Sequence, residues 1–163
     1  MPRESQAART AAPASPGGFA SAPPPDGDQK TTVQTRFGVI EFDLGQSLTF
    51  PKGIPGFVGY QSFGLAMIPS ETQSSFMLLQ ALEPDDLSFI VLPYEPAAGL
   101  IDGKDIEAAL QTLGVTPENC AIMLIATFRR MGNSFETSVN MRAPIFIDTA
   151  SRTAWQYILP NDR

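Results

Sequence analysis

The chain contains no histidine and a single cysteine, Cys120, among its 163 residues. Without histidine it has no Ser–His or Cys–His catalytic pair, no histidine metal site and no histidine pH switch. One cysteine forms neither an intrachain disulfide nor a cysteine-based zinc site. Long apolar runs are also missing, since the longest, at 120–128, is about half of the roughly 20 residues that a membrane-spanning helix needs. We therefore expect a soluble cytoplasmic protein without a metal or other cofactor.

Basic residues are the minority, with 11 Lys and Arg against 17 Asp and Glu, and the formal net charge is −6. A net acidic chain does not attract phosphates through its overall field, which argues against direct nucleic-acid binding. The excess lies in residues 83–107, which contain a single base, Lys104. The acids of this window are Glu83, Asp85, Asp86, Glu95, Asp102, Asp105 and Glu107. The rest of the chain is balanced, so this window accounts for the net charge.

Residues 1–32 are rich in Ala and Pro and contain one bulky aromatic residue, Phe19. Such a segment buries too little apolar surface to offset the entropy lost on ordering. We predict two parts, a disordered Ala/Pro-rich N-terminal extension at 1–32 and a folded domain at 33–163. Three consecutive prolines at 23–25 favour a linker over a secretory signal, whose apolar core is not apparent.

From residue 33 onward, short alternating runs separated by Gly, Pro and Asp are typical of antiparallel strands. Nine or ten strands are predicted, with separate strands at 134–140 and 145–147. Apolar residues at helical spacing over 106–113 predict one helix, with Asp102 as its N-cap and Gly114 at its end. The pattern predicts a mainly β fold, a small antiparallel β-barrel-like domain with one short α-helix, because barrel closure hides strand edges.

The remaining polar residues form no catalytic constellation. Glu83, Asp85 and Asp86 surround a proline in a predicted turn, where carboxylates are solvated or face a protein partner. Their order differs from the Asp-x-Asp-x-Asp-Gly pattern of a calcium loop. Asn140 offers both a donor and an acceptor, which fits a turn cap or a binding contact. Cys120 begins an apolar strand and is predicted to be a core residue.

Several sequence blocks resemble the bacterial flagellar assembly factor family, FliW. Residues 48–57 read LTFPKGIPGF and are similar to the T-F-P-x-G-[IL]-P-G-F signature, the most specific of the blocks. Residues 79–91 resemble the second block, a strand ending L-Q-[SA], a turn and then L-x-F-x-V. Residues 139–148 resemble the N-L-x-A-P-I-x-I-N block, and residues 156–159 the closing Q-V-I-L. The order and spacing match over nearly the whole predicted domain.

The resemblance implies a non-enzymatic partner switch on a β-barrel-like fold. Members of the family bind flagellin and the carbon storage regulator CsrA, a small RNA-binding protein that represses flagellin translation, and the two partners compete. Sequestration of the regulator after flagellin export relieves the repression. We expect this chain to act in the cytoplasm, to be monomeric when free, and to bind neither a membrane nor nucleic acid directly.

Charge and apolarity predict where the two partners bind. An RNA-binding regulator presents a basic surface, so Glu83, Asp85 and Asp86 are the predicted regulator contacts, which act on encounter and orientation more than on affinity. The terminal helices of flagellin carry apolar stripes, which favour an apolar groove. The predicted flagellin contacts are Phe57, Phe89, Asn140 and Pro144.

Three alternative functions remain open at this point. A small-ligand-binding β-barrel requires an interior cavity on the order of several hundred Å³. A flagellin chaperone without regulator binding requires only the apolar contacts. A carboxylate-only hydrolase requires two acids that converge in a cleft.

Overall fold

Nine β-strands and one α-helix form the described part of the protein, residues 29–68 and 75–160 of a computed structural model. The strands are β1 (Lys30–Thr35), β2 (Gly38–Asp43), β3 (Leu48–Thr49), β4 (Ser62–Met67), β5 (Met77–Ala81), β6 (Ser88–Tyr94), β7 (Cys120–Met131), β8 (Ser134–Asp148) and β9 (Thr153–Gln156). Helix α1 (Gly103–Leu113) lies between β6 and β7 in the chain. The predicted mainly β fold is confirmed. The predicted disordered extension falls, up to residue 28, outside the described residues.

Seven strands close into a barrel in the order β3-β4-β5-β6-β7-β8-β9. Neighbouring strands are antiparallel, except that β3 and β9 close the barrel as a parallel pair with Thr49 opposite Thr153. Large apolar side chains fill the interior. Among them are Phe50, Phe63, Leu79, Val91 and Ile145, each at most 2% exposed. The interior is therefore a packed core.

The first two strands form a separate hairpin outside the barrel. β1 begins at Lys30, before the predicted domain boundary at residue 33, because its first residues already pair with β2. The hairpin packs on β4, where the ring of Phe42 lies against Gly64. At the hairpin turn, the Arg36 side chain donates hydrogen bonds to Oγ and the carbonyl oxygen of Ser88, at 3.1 and 3.4 Å. These contacts fix the hairpin across β4 and the start of β6.

Helix α1 has the predicted caps. The Asp102 side chain accepts a hydrogen bond from the Lys104 N–H at 2.9 Å, and Gly114 ends the helix with a φ of 75°. The apolar stripe of the helix packs on the outer wall of the barrel. Buried residues at this contact include Ile106, Ala109 and Leu110 of the helix and Ile122, Leu124 and Phe146 of the barrel. Within the described residues, no helix has the length and apolar character needed to cross a membrane.

A single strand, β8, replaces the two strands predicted at 134–140 and 145–147. Its register with β7 shifts, and residues 141–144 form a bulge. The Asn140 side chain stabilises this bulge by accepting hydrogen bonds from the backbone N–H groups two and three residues further along, at 3.0 and 3.1 Å. Pro144 has no N–H for a β-ladder, and the bulge places it where none is needed. The prediction of two strands was wrong because a bulge, rather than an interruption, accommodates the proline.

β7 and β8 extend beyond the barrel as a two-stranded arm, residues 127–139. β7 pairs with β6 up to Ala126, whereas β7 and β8 continue to pair as far as Met131 and Ser134. Residues 127–138 are all exposed. Arg129 forms an ion pair with Glu136 at 2.8 Å across the arm. Arg129 and Arg130 therefore lie within a paired strand near the tip of the arm.

Candidate functional site

Aromatic and acidic side chains meet at one end of the barrel, where the loop 51–61 lies beside the turn 82–87. The ring centroid of Phe57 is 5.6 Å from that of Phe89 and 6.3 Å from that of Tyr60, both in edge-to-face contact. The Tyr60 hydroxyl donates a hydrogen bond to Oδ1 of Asp86 at 2.8 Å. We call Phe57, Tyr60, Asp86 and Phe89 the aromatic–acidic face.

The loop 51–61 follows a path that its glycines permit. Gly53 has a φ of 66°, and a Cβ atom there would lie 2.6 Å from Cα of Val58. Only glycine fits such a position without strain. Phe50 and Ile54 anchor the loop in the barrel core, while Phe57 on the outside is 39% exposed. The loop therefore separates inward-facing anchors from an outward-facing aromatic ring.

A buried glutamine fixes the acidic turn. Gln80 on β5 is 2% exposed, and the two N–H groups of its Nε2 are shared among three acceptors, the carbonyl oxygens of Ala81, Asp85 and Leu87, at 3.0, 2.9 and 3.2 Å. A buried amide without such partners would be costly, so the side chain and the turn backbone hold each other in place. The three predicted regulator contacts on this turn are all exposed.

Tyr60 and Gln80 are site residues that the sequence predictions did not include. The hydrogen bond to Asp86 is the main reason that the pKa of Tyr60 is raised, with smaller contributions from burial and from the Asp86 charge. The hydroxyl therefore stays protonated at neutral pH and can donate to the carboxylate. Gln80 carried a usable signal, because it is the one polar residue in the apolar strand β5.

Phe57, Phe89 and Asp86 come together, whereas the other two predicted flagellin contacts lie elsewhere. Asn140 and Pro144 are on β8, two strands away from β6 in the barrel order. Asn140 is exposed, and its side-chain oxygen is used within the bulge of β8. Pro144 is less than 2% exposed, so its side chain has no surface to offer to a partner in this structure. The contact predicted for Asn140 stays a prediction.

Comparison with known proteins shows which family the chain belongs to. The family model described as FliW protein matches residues 31–163. The chain belongs to the FliW family. The flagellar assembly factor FliW of Caldicellulosiruptor saccharolyticus is 29% identical over 137 residues, covering 83% of this chain and 87% of the relative. That of Bacillus pumilus is 32% identical over 130 residues, covering 78% and 87%.

A crystal structure of the flagellar assembly factor FliW has a TM-score of 0.63 to this chain, with 26% sequence identity. The match covers 82% of this chain and 92% of that structure. The family resemblance of the sequence blocks is thereby confirmed. The loop and the turn that form the aromatic–acidic face both lie inside the region that matches the FliW model.

The acidic window of this FliW-family protein divides into two surfaces. The exposed Glu83, Asp85 and Asp86 precede β6, whereas the exposed Glu95, Asp102 and Glu107 and the buried Asp105 follow it. β6 has seven residues. At about 3.3 Å per residue, the strand separates the two groups by roughly 20 Å. A charge cluster that is continuous in sequence is therefore two clusters in space.

A groove of about 720 Å³ lies at the second of these surfaces, between α1 and strands β6 and β7. Apolar side chains, among them Tyr94, Ile106, Leu110 and Ile122, line its floor. The charged residues that line it are Glu95, Asp102, Lys104 and Glu107. The groove lies on the outer wall of the barrel, apart from the packed interior.

Cys120 also lines this groove and is half-buried, rather than fully enclosed as a core residue. Burial raises the pKa of its thiol, the charge of Asp148 raises it further, and a backbone hydrogen bond involving Ile147 opposes the rise.

We expect iodoacetamide to alkylate Cys120 more slowly in the folded protein than in urea at neutral pH, because less thiolate is present. Because half-burial also limits access of the reagent, the test of the pKa is the pH dependence of each rate: the rate for the folded protein should reach its plateau at a higher pH than the rate in urea. Coincident pH midpoints would contradict the raised pKa.

Proposed function

We propose that this FliW-family protein is a cytoplasmic, non-enzymatic factor that binds flagellin and the carbon storage regulator CsrA in alternation. Translation of flagellin would then be released from repression by the regulator once flagellin has been exported. The observation that supports this most directly is the aromatic–acidic face. Phe57 and Phe89, proposed for flagellin, contact or adjoin the Tyr60–Asp86 pair, which belongs to the turn proposed for the regulator. Partners that share one face exclude each other, and partner switching depends on that exclusion.

Charge supports the regulator half of the proposal. The carboxylates of the turn are exposed, so they attract a basic surface over a distance of about 8 Å at physiological salt. Such complementarity acts on the association rate and on orientation. The hydrogen bond from Tyr60 gives the Asp86 carboxylate a fixed direction, which reduces the entropy lost when a partner binds it.

Apolar surface supports the flagellin half. Val58, beside Phe57 in the loop, is 68% exposed, and Phe89 is half-buried behind the Phe57 ring. Exposed aromatic rings that rest on a rigid base are typical anchors of protein interfaces. An amphipathic helix presents the apolar stripe that such a surface accepts. The packed barrel interior, by contrast, does not favour the alternative of a small-ligand-binding barrel.

The proposal is tested by calorimetry with flagellin and the regulator, first singly and then in competition. We expect both to bind, and flagellin to displace the regulator. The double variant Glu83→Lys/Asp85→Lys should weaken regulator binding about tenfold and reduce its salt dependence. Phe57→Ala should weaken flagellin binding about tenfold or more.

Glu41→Lys/Glu118→Lys is the matched control, because it changes the net charge equally at exposed positions away from the face. It should leave regulator affinity close to that of the unaltered protein. Binding of flagellin without the regulator would favour a chaperone and contradict the switch. Simultaneous binding of both partners would contradict the shared face.

A further inference from the structure

The groove between α1 and strands β6 and β7 has the size and lining of a binding site. Its volume of about 720 Å³ lies within the range of roughly 300–1,000 Å³ that is usual for ligand pockets. Tyr94, Ile106 and Ile122 on its floor are themselves held in the buried cluster beneath the helix. The floor is therefore preformed, and a ligand would not have to order it.

The charges around the groove select among apolar ligands. Among the described residues that line the groove, the exposed carboxylates Glu95 and Glu107 outnumber the one base, Lys104, so the groove has a negative excess. Carboxylates at this position repel anionic amphiphiles and attract ligands whose apolar surface is flanked by Lys or Arg. The occupant that this lining fits is apolar on one side and basic at the edges.

The backbone of the groove floor favours a helix over a strand as the occupant. β6 and β7 already pair with each other here, with Pro93 opposite Met123 and Tyr94 opposite Ile122. An added strand depends on backbone hydrogen bonds from a sheet edge, whereas a helix satisfies its own backbone and uses side chains. We propose that this groove docks a basic amphipathic helix of a partner protein.

This docking site is separate from the proposed function. β6 places the groove roughly 20 Å from the acidic turn, at about 3.3 Å per residue. A helix in the groove therefore leaves the aromatic–acidic face accessible. The two surfaces do not overlap, so each provides charge variants that serve as controls for the other.

Cys120 makes the site directly measurable, because it is the single cysteine of the chain and lines the groove. The probe is a fluorescent leucine–lysine amphipathic peptide of about 18 residues, five helical turns. A leucine–glutamate peptide of the same pattern is the charge control. We expect the lysine peptide to bind the full chain and to slow the alkylation of Cys120, and the glutamate peptide to do neither. Prior alkylation of Cys120 with a bulky reagent should in turn block the lysine peptide.

Charge reversal at the groove separates specific docking from general attraction to an acidic protein. Glu95→Lys/Glu107→Lys should weaken the lysine peptide about tenfold, whereas Glu83→Lys/Asp85→Lys should leave its affinity nearly unchanged. Circular dichroism of both variants confirms that they are folded. The proposal would be overturned if the lysine peptide did not bind, if it bound without protecting Cys120, or if the two variants weakened its binding equally. Protection by dodecanoate but not by the lysine peptide would assign the groove to a small apolar ligand and overturn it as well.

Discussion

Gly53→Ala is expected to lower the free energy of unfolding by about 2–4 kcal/mol. The new Cβ would lie 2.6 Å from Cα and 2.9 Å from the carbonyl oxygen of Val58. Both are backbone atoms, so no side-chain rotation relieves the contact. The φ of 66° adds the strain that an L-residue meets in the left-handed region. Urea denaturation of the variant measures the loss.

Gly56→Ala is the matched control in the same loop. Its φ is 89°, but a Cβ there would meet no atom within 4 Å. We expect a cost of about 1–2 kcal/mol, from the backbone conformation alone. Equal losses in the two variants would show that the contact with Val58 is not decisive. Because Gly53 determines how the loop presents Phe57, the proposed flagellin contact at Phe57 predicts that this variant also binds flagellin more weakly under conditions where it remains folded.

Gly64→Ala is expected to destabilise the protein by about 1–3 kcal/mol, because it pushes the β1–β2 hairpin away from the barrel. The added Cβ would lie 2.4 Å from Cδ1 of Phe42, whose ring is 4% exposed. Phe42→Ala alone should cost about 3–4 kcal/mol through the cavity that it leaves. Thermal and urea unfolding measure both values.

The double variant decides whether this contact is the cause. In the Phe42→Ala background, the methyl group at residue 64 occupies space that the ring has vacated, so Gly64→Ala should cost little or nothing. The two substitutions are then strongly non-additive, as expected for residues in direct contact. Additive losses would mean that Gly64→Ala acts on β4 itself rather than on the docking of the hairpin.

Features that depend on neighbours in sequence were predictable, and α1 is the best example. Its caps, Asp102 and Gly114, act within one helical turn, so the residue types alone specify them. The bulge of β8 is different. A local pattern containing Pro144 reads as an interruption, and only pairing with β7 shows that Asn140 holds the strand together. The sequence therefore indicated that Asn140 caps a turn, but not that the segments on either side of this turn pair with β7 as one strand.

The candidate site was predictable in its parts but not in its assembly. Phe57 and Asp86 were selected separately, one for its apolar character and the other for its charge. Tyr60, which connects them, is 26 residues from Asp86 in the chain, and that hydrogen bond exists only because the barrel brings the loop and the turn together. The acidic window shows the opposite effect. Charges that are close in sequence are separated in space because an extended strand lies between them.

The parallel pair that closes the barrel also affects how the protein is made. β3 and β9 meet through Thr49 and Thr153, which are more than a hundred residues apart in the chain. A contact so distant in sequence has a high entropic cost and forms late in folding. During translation, β4 to β8 leave the ribosome before β9, so they expose strand edges and apolar side chains until β9 has itself left the ribosome. A nascent chain therefore depends on the last few residues of the barrel to leave an aggregation-prone state.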